Sequence, residues 1–380
     1  MKILLIVDKF GGKIPTGVIS YRIAEELIAL GNEVVILTAY NQGNDWDLSE
    51  IHRNRKTKHL LPARIREFIS NLTQKNVSSY RWRTNMIKLA KSVLEDYTAD
   101  VIYARSTPIT VCEIAAQLSY TTGIPSLMHF TDPVPAPPEW DNNVLYRRRM
   151  ILTMNRILPF AKKVSFGNAS MLDYEQSIVE YPFKAKAFVS TDPVPSSELF
   201  YSHPQTKEEL RFVYLGSLYG SRNPQPLFDA LSKIDKSGIS IRLDIYDINR
   251  VNTQLPSFAH FVGRTNDVKT ALLSANVLID LDGDDKTPVF ISSKIKEYLC
   301  CGRPILSITP DNSPSHQMTK GLKTVFHTCN EVESIEKVIR SIISTAFQEE
   351  DFKERNELIF KHSPKSVAKL VYEELQSMID

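Results

Sequence analysis

Short, nearly unbroken apolar runs alternate along the chain with stretches in which apolar residues recur every three to four positions. Lys2 to Val7 is the first run; its length and continuity suit a parallel strand buried on both faces. The loop DKFGGKIPTG follows, then a helical pattern from Val18 to Leu30 that stops at Gly31, then a strand from Val34 to Leu37. Strand, glycine-bearing loop, helix and strand make a βαβ unit. Asp100 to Ala104, Ile124 to Phe130, Ala161 to Ser165 and Lys186 to Val189 read as further strands. The turn-rich stretch from Asp192 to Ser197 and on to Thr206 is the best candidate linker. Beyond it the scheme repeats, with strands over Arg211–Leu215, Ile241–Tyr246, Phe258–Val262 and Val277–Leu281. Helical periodicity covers Pro226–Ile234, Val268–Ala275 (with Asn266 or Asp267 as N-cap), Val332–Ile343 and Ser366–Met378. The pattern predicts two α/β domains, each with a parallel sheet.

Composition narrows this picture without redirecting it. A length of 380 residues is enough for two cores, and 42% hydrophobic with 24% charged residues is ordinary for a globular protein. A net charge of +2 gives no reason to expect nucleic acid as a partner. The four cysteines lack CxxC spacing, Cys300 and Cys301 are adjacent, and a reducing compartment fits them best. The start MKILLIVDKF lacks a signal peptide's longer apolar core, and no apolar run approaches the roughly 18 residues of a membrane span. A cytoplasmic location is expected.

One segment departs from the average. Between Ile51 and Tyr97 helical periodicity dominates and cations crowd in, among them Arg53, Arg55, Lys56, Lys58, Arg64, Arg66, Arg81, Arg83, Lys88 and Lys91. Leu60, Leu61, Ile65 and Phe68 are interspersed. Such a segment lies well on an anionic membrane surface. It reads equally as a solvated helical face or an ordered insertion of the first domain.

The stretch PVFISSKIKEYLCCGRPIL, Pro288 to Leu306, concentrates the candidate chemistry. Ser292 and Ser293 stand at a helix start; Ile295, Tyr298 and Leu299 give an apolar face; Gly302 is expected as a left-handed stop before Pro304. Ser293, Lys294 and Glu297 are expected on one side of the helix. Free N–H groups, hydroxyls and an ammonium attract phosphate, and a carboxylate one turn deeper suits two adjacent ribose hydroxyls. The plainer reading is a capped surface helix with a solvated Lys294/Glu297 pair. Arg222, Arg264, Asp282 and Asp284 fall in loops after strands of the same half. In the first half, HFTDP places His129 and Asp132 at or just past a strand's carboxyl end, where open α/β sheets bind ligands. His129 could steady a phosphate or oxyanion there and Asp132 could order an acceptor hydroxyl; a loop histidine and a turn-forming Asp-Pro are the structural alternatives. Gly11, Gly12 and Gly17 do not form GxGxxG, so the dinucleotide fingerprint is absent.

Taken together, these pieces resemble a GT-B-fold glycosyltransferase of glycosyltransferase family 4, of the bacterial cell-surface polysaccharide type, over essentially the full chain. MKILLIVD with the PTG loop and ELIALGNEVVILT carry the first half; FVYLGSLYGSRN, HFVGRTNDV and SSKIKEYLCCGRPIL carry the second. The last resembles a P-S-K-x-x-E-Y-L form. The resemblance implies two Rossmann-like domains facing each other across a cleft. Residues 1–195 would bind the acceptor, with the basic insertion at about 51–97; residues 205–360 would bind the nucleotide sugar; residues 361–380 would form a helix crossing back to the first domain. Glu297 matches the second glutamate of the family's E-x7-E, which holds the ribose, while the first falls on Val289 and is missing. Asp282, Asp284 or Asp285 could substitute for it. The diphosphate-binding cation pair falls on Ser217 and Arg222, so Lys294 or Arg264 is expected to compensate for Ser217. His129 resembles the histidine near the reaction centre, and Gly17 the glycine loop near the donor phosphates.

The activity so implied is retaining transfer of a sugar from a nucleotide diphosphate sugar, UDP- or GDP-linked by preference, to a hydroxyl of a lipid-linked or cell-surface glycan precursor. No metal cluster is visible in the sequence, and no cofactor beyond the nucleotide sugar substrate is implied. Peripheral contact with the inner face of the plasma membrane fits the basic segment. The alternatives are a sugar-nucleotide epimerase of the same fold and a non-catalytic nucleotide-binding subunit.

Overall fold

The computed structural model describes residues 1–12, 14–41, 51–53, 61–202, 209–218, 222–247, 255–265, 267–283 and 285–380. Asp284, Asn266 and, in the basic segment, Arg55, Lys56, Lys58 and Leu60 lie outside the described residues. The chain divides into two compact units: Met1–Pro193 with Pro364–Asp380, and Val194–Ser363.

The first unit begins with β1 (Lys2–Phe10), α1 (Pro15–Ala29), β2 (Glu33–Asn41) and β3 (Ile51–Arg53). The helices α2 (Ala63–Thr73) and α3 (Tyr80–Asp96) follow, then β4 (Val101–Ser106), α4 (Thr110–Thr122), β5 (Ser126–Phe130) and α5 (Val144–Ile157). β6 (Lys163–Phe166), α6 (Ala169–Ile178) and β7 (Ala187–Val189) complete the run. Its strands form one parallel sheet in the order β3-β2-β1-β4-β5-β6-β7. Ile3 to Ile6 and Val101 to Ala104 are fully buried, as central parallel strands with both faces covered must be.

The basic segment resolves into three different things. Its start is a strand, β3, which extends the sheet beside β2 rather than continuing a helix. α3 packs inward through Trp82, Met86, Ala90 and Val93; its Arg81, Lys88 and Lys91 are exposed, whereas Arg83 pairs with the buried Glu113. α2 buries only Ser70 and Asn71, and leaves Ile65, Phe68 and Leu72 exposed.

The second unit runs β8 (Glu209–Leu215), α7 (Gln225–Asp235), β9 (Ser240–Tyr246), β10 (Ala259–Phe261), α8 (Val268–Leu273) and β11 (Val277–Leu281). It continues through α9 (Ser293–Leu299), β12 (Ile305–Ile308), α10 (Pro314–Thr319), β13 (Val325–Thr328), α11 (Val332–Ser344), α12 (Glu349–Phe352) and α13 (Arg355–Lys361). The sheet order is β10-β9-β8-β11-β12-β13, again all parallel. Phe212, Leu231, Leu243, Ile279, Leu306 and Ile339 sit at the centre of its core. Arg355, fully buried, closes the end of α9: its Nη1 donates to the carbonyls of Cys301 (2.7 Å) and Tyr298 (3.2 Å), and its Nη2 to those of Arg303 and Thr324 (both 2.9 Å).

The last helix, α14 (Pro364–Gln376), belongs to the first unit. Val367, Ala368, Val371 and Leu375 join Ile23, Ala24 and Leu27 of α1 in one apolar cluster with β1. An ion pair from Lys163 to Glu374 ties the helix to β6.

Candidate functional site

In the second unit the strand order reverses between β8 and β11, and the residues that follow the carboxyl ends of these strands gather there. Arg222 places Nη2 3.4 Å from Asp282 Oδ1 and donates through Nη1 to the Ser217 carbonyl at 3.4 Å. Ser217 donates its hydroxyl to Asp247, which also accepts from the Leu218 N–H at 3.2 Å. Ser315 Oγ donates to Asp282 Oδ2 at 3.5 Å and accepts from the Ser292 N–H at 3.1 Å.

Lys294 is the deepest member. It is 6% exposed, and its ammonium lies 5.2 Å from the Tyr214 ring centroid. Gly216 makes room for it: its φ is +122°, and a Cβ there would lie 3.1 Å from Lys294 Cδ. Burial lowers the Lys294 pKa, while the Asp280 and Asp282 carboxylates oppose that shift. Burial in turn pushes the Asp280 carboxyl up to about 6, with Asp282 adding to the push and Lys294 pulling back. Lys294 is therefore buried against the Tyr214 ring, under the influence of Asp280 and Asp282, and is not the solvated partner of Glu297.

Three expectations for this stretch change. Lys294 and Glu297 do not share a side: Lys294 turns over the sheet edge, whereas Glu297 lines a cavity of about 210 Å³ with Val268, Lys269 and Leu272 of α8. Residues three apart on a helix are offset by roughly 60°, enough to separate them once Ile295, Tyr298 and Leu299 are buried. Ser292 stands at the N-cap, but its hydroxyl does not cap the helix. Gly302 does not provide a left-handed stop; the helix ends at Cys300 with φ −75°. Glycine is required at 302 because a Cβ would lie 2.5 Å from the Tyr201 ring. Ser293 and Arg264 are exposed, Arg264 on the loop after the edge strand β10.

The first unit has a comparable edge. Gly17 opens α1 against the loop before it: Gly11 N–H donates to the Gly17 carbonyl at 2.9 Å, and a Cβ on Gly17 would lie 2.3 Å from Gly11 O. His129 is the penultimate residue of β5 and its ring is fully buried, with Nδ1 2.9 Å from Ser165 Oγ and Nε2 3.8 Å from Asp192 Oδ1. Both faces of β5 are covered, so the groups that reach the surface at this edge are Thr131 and Asp132, just past the strand. Asp132 accepts from Thr107 Oγ1 at 2.8 Å. Both line a cavity of about 490 Å³ with Ser79, Trp82, Tyr146 and Arg149. Arg149 is buried and pairs with Glu67 through Nη2, while its Nε and Nη1 have no hydrogen-bond partner.

Asp280, Asp247, Arg105 and Asp192 belong to no motif of the sequence. Asp280 did have a signal, an acid inside the apolar run VLIDL. Asp192 looked like a linker turn but pairs with Arg105 at 2.6 Å. Among the described residues no group of three or more His, Cys, Asp or Glu side chains is arranged to hold a metal ion. No helix of the described residues is long and apolar enough to cross a membrane.

No family model matches the sequence, and comparison with curated proteins finds no significant match. Solved structures do match over the full length. The chain is similar to a glycosyltransferase from Rickettsia africae ESF-5, with TM-score 0.67 and 15% identity over 100% of this chain and 98% of the other. It is similar to a lipopolysaccharide outer core galactosyltransferase, with TM-score 0.63 and 13% identity over 100% of both chains. It is also similar to a UDP-N-acetylglucosamine 2-epimerase, with TM-score 0.57 and 10% identity over 100% of this chain and 96% of the other. At these identities the likeness is one of fold: two Rossmann-like parallel-sheet units, as in the GT-B glycosyltransferases.

Proposed function

We propose that this chain is a retaining glycosyltransferase that moves a sugar from a nucleotide diphosphate sugar to an acceptor hydroxyl. The observation that carries the reading is the gathering of Arg222 and Lys294 at the switch-point edge of the second unit, in a fold that solved sugar transferases share. There the leaving diphosphate is neutralised by fixed cations, an electrostatic mechanism. Lys294 takes the place that Ser217 leaves, since Ser217 is engaged with Asp247. Asp282, within reach of Ser315, is suited to sugar hydroxyls, and Glu297 to the ribose. Attack from the face of the departing phosphate needs no protein nucleophile, and none is assigned.

The first unit binds the acceptor in this reading, with Thr107 and Asp132 ordering the hydroxyl in the 490 Å³ cavity. His129 acts behind them as a positioning residue for Asp192. A hexosyl group carried on UDP or GDP, a lipid-linked or cell-surface polysaccharide precursor as acceptor, and peripheral contact with the inner membrane surface complete the proposal.

Calorimetric titration of UDP, GDP, ADP and dTDP tests the donor site. One diphosphate is expected to bind in the micromolar range, and Glu297→Ala to weaken it; binding of none would remove the reading's main support. The likeness to an epimerase favours one second reading. Incubation of the nucleotide sugar without acceptor separates the two, because a new sugar nucleotide then appears only with an epimerase. Nucleotide binding without turnover, which the missing glutamate at Val289 would accompany, marks a non-catalytic subunit.

A further inference from the structure

We infer that Asp280 couples donor binding to a proton: it is ionised in the free protein and takes up a proton from solvent when a nucleotide diphosphate enters the switch-point edge of the second unit. The inference rests on that edge being the donor site. The Asp280 carboxyl is fully buried on β11, and among the described residues neither of its oxygens has a hydrogen-bond partner. Ser292 Oγ, near enough to draw the Asp280 pKa down, is buried and makes no hydrogen bond either. Strand alternation puts Asp282 on the same face, and its N–H still donates to Ile308 O at 3.1 Å, so the ladder reaches that residue. Asp282 in turn stands 3.4 Å from Arg222. A buried carboxylate that no donor satisfies is costly, and it persists only while nearby cations offset the cost.

Lys294 on α9 and Arg222 after β8 supply that offset. Burial and then Asp282 push the Asp280 pKa up, those two cations pull it back, and it stands at about 6. Tyr214 on β8 and Tyr298 on α9 also face the carboxyl, and burial raises both phenols, so they stay neutral. Two cations therefore meet Asp280 and Asp282 here, with a third carboxylate, Asp247, engaged by Ser217. A diphosphate brings further negative charge and draws both cations to its own oxygens. Asp280 then loses the field that kept it ionised, and the like charge beside it raises its pKa again. Asp280 is the carboxylate that yields because it is the deepest of the three and the one without hydrogen bonds. Asp282 accepts from Arg222 and Ser315, and Asp247 from Ser217 and the Leu218 N–H. A pKa higher in the complex than in the free protein means proton uptake on binding. The proton removes one negative charge from beneath the ligand and leaves Lys294 to the phosphate.

The test is difference infrared spectroscopy of the full chain near pH 7, with and without whichever of UDP, GDP, ADP and dTDP binds. Binding should bring up the C=O stretch of a protonated carboxyl, a band that moves in deuterium oxide, and Asp280→Asn should lose that band while still binding. Asp280→Val, apolar and suited to a strand buried on both faces, gives the same comparison where the amide variant does not fold. Below about pH 5, where Asp280 is already protonated in the free protein, binding should no longer add the band. A diphosphate that binds without the new band, or a band that survives in the Asp280 variants, would overturn this inference and leave the donor site standing. Failure of all four diphosphates to bind would overturn the donor reading and this inference together.

Discussion

Replacing Arg222 by Ala removes one of the cations at the β8 edge of the second unit, and the consequence can be worked from its surroundings. Its side chain is 11% exposed, so its charge is only partly screened, and its contact with Asp282 at 3.4 Å is long for an ion pair. A diphosphate oxygen can displace that contact and take a shorter, charge-assisted bond. Such a bond contributes roughly 1.5–3 kcal/mol, a loss of about 10- to 150-fold in affinity when it is removed. Asp282 works against the same ligand, because two like charges about 4–5 Å apart repel by roughly 1–4 kcal/mol between the water and protein-surface limits. Asp282→Asn should therefore tighten the bare nucleotide diphosphate at least about fivefold, while gaining less for the nucleotide sugar if Asp282 also serves a sugar hydroxyl. The assay is calorimetric titration of wild type, both single variants and the double variant with each ligand. Unchanged diphosphate affinity in Arg222→Ala, or weaker diphosphate binding in Asp282→Asn, would refute the assignment of this edge.

Three further outcomes follow from the packing. Gly216→Ala should lower stability by more than about 1 kcal/mol, because alanine is strained at φ +122° and its Cβ meets Lys294; urea unfolding measures it, and a loss of nucleotide affinity should accompany it. Arg355→Met leaves the carbonyls of Tyr298, Cys301, Arg303 and Thr324 without their buried donor and should cost at least about 3 kcal/mol, read as an earlier denaturant midpoint of the second unit. Glu175 is fully buried, accepts the Val134 N–H, and burial raises its pKa well above the usual carboxyl range. A raised folded-state pKa gives stability that is complete below the ordinary value and is lost as pH rises through the folded one. Glu175→Gln should thus gain in melting temperature over wild type between pH 5 and pH 8; a difference independent of pH would contradict this.

Much of the frame was legible because parallel strands buried on both faces write themselves as apolar runs, and β1, β4 and β11 show it. The helix at Ser293 was legible from its serines and its apolar spacing, and Arg222 from its place after a strand. What the sequence hid was direction. Lys294 and Glu297 are three residues apart, and whether they point together depends on which face Ile295 and Tyr298 bury. His129 lies one residue from the end of a strand buried on both faces, so its place near a carboxyl end does not bring it to the surface. Asp192 and Arg105 are 87 residues apart, and their pairing has no local trace. The basic segment hid a strand because β3 is three residues long and is itself the edge strand of its sheet.

The return of α14 to the first unit has a consequence in time. During synthesis β1 to β7 leave the ribosome first, yet part of the apolar surface of β1 and α1 is covered by Val367, Val371 and Leu375, which emerge after the whole second unit. The second unit is thus able to fold while the first still exposes that surface, reversing the usual N-terminal-first order of domain folding. Residues 364–380 thus close the first unit only after the second has been made. A product truncated before Pro364 would carry every strand of the first sheet and still lack the helix that completes it.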